Sequence, residues 1–305
     1  IFKTKSLETK QIPILKSNDQ IVLISTARKV SKAELKYSIQ LLKSWDLKVV
    51  LGKNLNQEEH QFAGSVTQRT QDLQEALNNT AIKAVFFVRG GYGSIQVLDA
   101  IDWSFFAANP KWLIGFSDVS VFHAHIQETY KIPTLHAPMP ITFESSTKTS
   151  LNNLKKIIFG KQISYEFEAH EYNRKGKVEA EIVGGNLSIL FSLLGSKSQL
   201  NTTGKILFIE DLDEYLYHID RMMHALERAG MLSNLAGLLV GGMSEMNDHK
   251  IPFGKSAEQI IRDITLKYDF PIAFNFPGGH IKNNQPLKLG EKVVLEIKNT
   301  TTLKQ

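Results

Sequence analysis

Four short stretches of this 305-residue chain carry residue types and spacings that could do chemistry. The first is KWLIGFSDVSVFHAHI at residues 111–126. It reads as a buried strand ending at Gly115 and Phe116, with Ser117 at the turn and a helix carrying apolar Val119, Phe122 and Ile126 beginning at once. A serine held between strand and helix lifts its hydroxyl off the top of a sheet, and the unpaired N–H groups of the helix start can hold an oxyanion. The same position also suits a plain helix N-cap, and the G-x-S-x-G signature is not met, because Val119 stands where the second glycine belongs. The second stretch, VRGGYGS at residues 88–94, follows a strand with adjacent glycines, which permit positive φ and present amide N–H groups to an anion or developing oxyanion. A dinucleotide loop is the rival reading and fails, since Gln96 occupies the third glycine position after Gly91 and Gly93 and no G-x-x-x-x-G-K-[ST] is present.

The third stretch, GKILFIEDLDE at residues 204–214, is a strand ending in acids. Four acids in five positions suit a solvated turn and the negative charge favoured at a helix start. Glu210 is the exception, because it directly follows Phe208 and Ile209 and should be partly buried and in need of a partner. The fourth, FNFPGGH at residues 274–280, delivers His280 on a glycine turn at a strand end, where an imidazole with an unperturbed pKa of about 6.5 suits a general base. Among nine histidines, His218 and His224 share one helix and His123 and His125 are two apart; neither pair has the i, i+4 spacing of a helical metal site, so no metal is expected.

The elements that must position these residues alternate along the first half. Residues 21–25, 48–51, 84–88 and 112–116 read as buried strands, each a short apolar run closed by glycine or polar residues. Capping-box pairs, Ser31 with Glu34 and Ser65 with Gln68, start the helices between them. Strand and helix in alternation predict a parallel sheet with helices on both faces, whose sites gather at the carboxyl ends of strands. The pattern changes through a helical stretch at residues 151–158, an alternating run at 163–167 and a polar run at 170–175. Beyond it, strands at 178–183, 206–209, 237–240, 272–276 and 293–297 and helices from Asn186, at 214–229 and at 257–268 predict a smaller mixed α/β unit. The boundaries expected are therefore an amino-terminal domain over residues 1–150, a linker over 151–175 and a carboxyl-terminal domain over 176–305.

Composition removes several classes. Hydrophobic residues make up 42% and charged residues 22%, so the chain should fold rather than remain disordered. Thirty-six Lys plus Arg against thirty-one Asp plus Glu leave +5, with the basic residues spread out and no aromatic-interleaved basic patch of the kind that binds nucleic acid. No apolar run approaches the roughly 18–20 residues that cross a bilayer. Cysteine is absent, which excludes a disulfide framework, a thiolate nucleophile and a zinc-thiolate site. Residues 1–10 are polar, without a signal-peptide core, and are assigned no part in the fold.

Taken together and in this order, RGGYGS at residues 89–94, GFSD at 115–118, GGNLS at 184–188, the acidic strand end at Glu210 and Asp211, IDRMMHAL from Ile219 and PGGH at 277–280 resemble the LD-carboxypeptidase family of serine peptidases, which also contains the microcin-immunity peptidases. The resemblance covers nearly the whole chain. It implies a Ser117, Glu210, His280 triad between two domains, the first flavodoxin-like or class I glutamine amidotransferase-like, the second a mixed α/β domain of swivelling type. It implies release of terminal D-alanine from a murein tetrapeptide through an acyl-enzyme, without cofactor, by a cytoplasmic homodimer. The oxyanion donors expected are the amides of Asp118 and Gly91. Arg89 and Asn186 are candidates for the substrate's terminal carboxylate, against the ordinary alternatives that Arg89 pairs with an acid and Asn186 caps the next helix. Two alternatives remain beside this reading: a peptidase that detoxifies a peptide-nucleotide antibiotic, and a non-catalytic two-lobed binding protein. The chain departs from the family at Ser25, Thr26, Ala27 and Arg28, where many members carry a Pro-Ala-Gly-like turn, and the long loop of the microcin-immunity branch is not evident at residues 160–177.

Overall fold

The computed structural model describes residues 10–305, so the opening stretch that was assigned no part in the fold lies, apart from Lys10, outside the described residues. The strands in chain order are β1 (Gln20–Ile24), β2 (Lys48–Leu51), β3 (Ile82–Phe87), β4 (Trp112–Gly115), β5 (Thr134–His136), β6 (Ser164–Glu168), β7 (Gly176–Asn186), β8 (Ile206–Leu212), β9 (Gly237–Ser244), β10 (Ile272–Ala273), β11 (Leu287–Leu289), β12 (Lys292–Ile297) and β13 (Thr300–Lys304). The helices are α1 (Lys36–Ser44), α2 (Val66–Asn78), α3 (Ser94–Leu98), α4 (Ser104–Ala108), α5 (Ser120–Tyr130), α6 (Lys148–Ile158), α7 (Leu187–Ser192), α8 (Leu216–Arg228) and α9 (Ala257–Thr265).

The first sheet has the order β11-β5-β4-β3-β1-β2, parallel throughout except for β11. The last four residues of β1 and β3 and all of β4 are buried without alternation, as strands covered on both faces must be. The second sheet runs β10-β9-β8-β7-β12-β13-β6 and has, among the described residues, seven strands against the first sheet's six. Its β10-β9-β8-β7 half is parallel and its β7-β12-β13-β6 half antiparallel. In the antiparallel half, β6 and β12 bury alternate residues, the signature of a sheet packed on one face only.

Of the two capping boxes expected in the first half, Ser65 and Gln68 form theirs in full, with Gln68 N–H on Ser65 Oγ at 3.2 Å and Ser65 N–H on Gln68 Oε1 at 2.9 Å. Ser31 and Glu34 also bond reciprocally, at 2.7 and 3.3 Å, yet α1 begins only at Lys36. Their box closes a separate turn, where Leu35 N–H reaches Lys32 O at 3.3 Å. The chain after His280 does not stay with the second sheet. Thr147 N–H bonds Lys282 O at 2.9 Å, and β11 then pairs antiparallel with β5, Leu287 opposite His136. That crossing carries the carboxyl-terminal His280 back to the end of the first sheet, beside the end of β4.

Candidate active site

Ser117 lies two residues beyond the end of β4, follows extended Phe116 and opens a single 3₁₀ turn over Ser117–Val119 that leads into α5. Its φ is +63°, a left-handed conformation that costs a non-glycine residue about 1–3 kcal/mol and that persists where its surroundings enforce it. Two neighbouring glycines make room for the bend. A Cβ on Gly115 would lie 3.0 Å from Val119 Cγ2, so the valine that replaces the second motif glycine packs into the space the first one leaves. A Cβ on Gly90 would lie 3.2 Å from Ser117 Oγ and 3.4 Å from the Asp118 nitrogen, so that glycine keeps open the space in front of the hydroxyl. Buried His123 fixes the strand end from below, its Nε2 donating to Gly115 O at 2.9 Å, and burial lowers its pKa to about 3, so this imidazole is neutral.

The structure brings together the three residues from distant parts of the chain. His280 Nε2 lies 3.0 Å from Ser117 Oγ, and its Nδ1 lies 2.7 Å from Glu210 Oε2. The same carboxylate oxygen accepts the His280 backbone N–H at 3.2 Å. Gly279, at φ +104°, wraps the chain around that carboxylate, since a Cβ there would lie 2.5 Å from Oε2. Glu210 is fully buried at the carboxyl end of β8, where the β8–β9 register shifts between Ile209 and Asp211; such an irregularity re-aims a side chain. Burial alone would lower the His280 pKa, but the charge and hydrogen bond of Glu210 outweigh it and hold the imidazole above its ordinary value. Burial alone would raise the Glu210 pKa, and the facing His280 instead holds the carboxyl below its usual range.

The other residues singled out in the sequence line one cleft of about 450 Å³ with Ser117 and His280: Arg89, Gly91, Asp118 and Asn186. The Asp118 N–H belongs to the first residues of the 3₁₀ turn, which have no acceptor within the turn. The Asp118 side chain is buried and accepts the Ser94 N–H at 2.8 Å. Asn186 caps α7, accepting the Ile189 N–H at 3.2 Å while its Nδ2 donates to Asp211 at 2.9 Å. Arg89 donates to Lys29 O at 3.2 Å and stands 3.7 Å from Glu34. Among the acids of the third stretch, Asp211 is buried as well as Glu210 and accepts from Asn186 and from Ser188 N–H and Oγ; burial and the nearby Glu210 push its pKa up to about 6.

Sequence reasoning missed the buried polar network behind the glycine loop. Arg69, 1% exposed on α2, donates to Thr26 O at 2.7 Å, Gly93 O at 3.0 Å, Gly64 O at 3.2 Å and Gln96 Oε1 at 2.8 Å. Thr26 and Ser94 share a hydroxyl hydrogen bond of 2.7 Å beside it, and Ser94 N–H reaches Asp118. The signal was present in the sequence, for Arg69 and Asp72 sit among Leu73, Ala76 and Leu77 on one helical face, and a charge on an apolar stripe needs a buried partner. Arg28, in the turn that departs from the family pattern, also lines the cleft and was not singled out as a site residue. Among the described residues no cluster of three or more His, Asp or Glu is arranged to hold a metal ion, and no helix is long and apolar enough to cross a membrane.

Comparison with known proteins gives the family. Residues 21–137 match the LD-carboxypeptidase N-terminal domain and residues 179–295 the LD-carboxypeptidase C-terminal domain. The chain is 31% identical over 294 residues to a probable murein peptide carboxypeptidase of Bacillus subtilis, covering 95% of this chain and 92% of that protein. It is 25% identical over 299 residues to the microcin C7 self-immunity protein MccF of Escherichia coli, covering 86% and 85% of the two chains. The crystal structure of muramoyltetrapeptide carboxypeptidase from Oxalobacter formigenes superimposes with a TM-score of 0.86 at 25% identity, over 93% of this chain and 98% of the other. With both domains matched in order and relatives aligned over nearly their whole length, the chain belongs to the LD-carboxypeptidase family of serine-type peptidases.

Proposed function

We propose that the protein is a serine carboxypeptidase that hydrolyses an L,D-amide bond and releases terminal D-alanine from a murein tetrapeptide through an acyl-enzyme. The observation that carries the reading is the single imidazole of His280, which bridges Ser117 Oγ at 3.0 Å and Glu210 Oε2 at 2.7 Å. In this mechanism Ser117 Oγ attacks the carbonyl carbon of the residue before D-alanine while His280 Nε2 takes the hydroxyl proton. Glu210 holds Nδ1–H, which leaves Nε2 free to accept, and stabilises the imidazolium as it forms. The tetrahedral oxyanion is received by the Asp118 N–H and by an amide of the glycine loop, that of Gly91, across the space kept open by Gly90. His280 then gives its proton to the leaving amine nitrogen, D-alanine departs, and the same imidazole activates a water that hydrolyses the ester on Ser117.

The substrate class rests on what the relatives are named for, and the cell-wall branch is preferred to the antibiotic branch because no long loop interrupts residues 160–177, which run from just past α6 through all of β6 and the short β6–β7 connection into the first two residues of β7. The division into a nucleophile-bearing domain and a domain bearing Glu210 and His280, with residues 151–175 between them, belongs to the same reading. So do action in the cytoplasm and assembly as a homodimer; a single monomer-sized species in sedimentation velocity would remove the dimer. The deciding assay is D-alanine release from a murein tetrapeptide by the wild type and by Ser117→Ala, with an all-L peptide as control. Release by the wild type alone, and from the D-ended peptide alone, is expected. If neither protein releases D-alanine, the cell-wall reading fails and a peptide-nucleotide substrate or simple binding takes its place.

A further inference from the structure

A carboxypeptidase must recognise a free carboxylate, and in the substrate that group lies two bonds from the scissile nitrogen. Its receptor therefore has to stand within a few ångströms of the oxyanion site. Among the residues lining the cleft, the cationic side chains apart from the base His280 are Arg28 and Arg89. They flank the glycine loop, while the end of β8 and the turn after it contribute Asp211, Asp213 and Glu214 to the lining, acids that would repel a carboxylate. The two arginines differ in their commitments. Arg89 bonds Lys29 O and stands beside Glu34. Arg28 is exposed, and among the described residues no Asp or Glu forms an ion pair with it.

The backbone of Arg28 is anchored at both ends, its N–H on Gly90 O at 3.4 Å and its carbonyl accepting from Ser25 Oγ at 2.8 Å. Its side chain then lies flat across the oxyanion loop: a Cβ on Gly91 would fall 2.6 Å from Arg28 Cδ and 2.7 Å from Nε. The absent side chain of Gly91, at φ +106°, thus makes the bed for the arginine stem. A guanidinium held there offers paired N–H donors in the fork that matches a carboxylate.

We propose that Arg28, rather than Arg89, receives the terminal carboxylate of the substrate and makes the enzyme an exopeptidase. The proposal rests on the carboxypeptidase reading above and assigns the residue that enforces it. It is tested by comparing kcat/KM for a D-alanine-ended peptide with that for the same peptide ending in D-alaninamide, in the wild type, Arg28→Ala, Arg28→Lys and Arg89→Ala. Loss of a charge-assisted bidentate contact corresponds to about a 10- to 100-fold fall. Arg28→Ala should show that fall on the free acid, mainly through KM, with the amide nearly unaffected, so that discrimination between acid and amide collapses; Arg28→Lys should restore part of it. Undiminished preference for the acid in Arg28→Ala, or its collapse in Arg89→Ala alone, overturns the assignment. If the wild type cleaves neither peptide, the function reading is what has failed. Calorimetric binding of the acid and amide peptides to Ser117→Ala, with and without Arg28→Ala, then decides the arginine: equal affinities in the two proteins overturn it.

Discussion

Replacing Glu210 by glutamine separates the charge of the acid from its shape. Glu210 Oε2 accepts both the Nδ1–H and the backbone N–H of His280, at 2.7 and 3.2 Å, whereas Oε1 has no hydrogen-bond partner among the described residues. A glutamine can therefore turn its carbonyl oxygen toward His280 and its amide toward the unpartnered side, keeping the imidazole in the same tautomer and orientation. What disappears is the attraction between the carboxylate and the imidazolium of the transition state. For unit charges about 4 Å apart at an effective dielectric of about 20 this is about 4 kcal/mol, or about a thousandfold in kcat/KM. The pH profile gives an independent reading. In the proposed mechanism activity needs neutral His280, so in the wild type kcat/KM should fall as pH drops through a pKa held above 6.5. In Glu210→Gln the burial that lowers this pKa is no longer opposed by the acid, and the acid limb should move to lower pH. D-alanine release followed from pH 5 to 9 measures both. A kcat/KM within tenfold of wild type together with an unmoved acid limb would refute the electrostatic role of Glu210.

The same pair predicts a pH window for stability: the His280 contribution is fully present below 6.5 and lost as pH rises through its raised pKa, and the Glu210 contribution is present above 4.5 and lost as pH falls through its lowered one, so the Tm gap between wild type and Glu210→Gln should peak between those values and an unvarying gap would count against the ion pair. Gly90→Ala sets a methyl 3.2 Å from Ser117 Oγ and should lower kcat by about a hundredfold with little change in Tm; unchanged kcat would remove Gly90 from the wall of the oxyanion site. Arg69→Met takes the donor away from Thr26 O, Gly64 O, Gly93 O and Gln96 Oε1 and leaves the buried Asp118 carboxyl without its nearby cation, and should cost about 3–5 kcal/mol in denaturant unfolding. Because Arg69 holds Gly93 in the glycine loop, kcat should fall more than KM, and a loss below about 1 kcal/mol would show that the network is not what fixes that loop.

The local parts of this protein were legible in its sequence because they are set by local physics. The buried runs of β1, β3 and β4, the Ser65 capping box and the turn carrying Ser117 all follow from residue type and short-range spacing. Burial of Glu210 was readable from the two apolar residues before it. The tertiary structure decided what depends on distant segments meeting. It shifted the β8–β9 register beside Glu210, and it took the chain after His280 across to pair β11 with β5, which sets the imidazole over a serine 163 residues away. It committed Asn186 to a helix cap and to Asp211, gathered four acceptors around Arg69, and left Arg28 lying over Gly91 without an acidic partner among the described residues. Propensity and periodicity act within a few residues of one another, whereas the partner of a buried or cleft-lining charge is chosen by packing, and packing is settled only once both sheets have closed on each other.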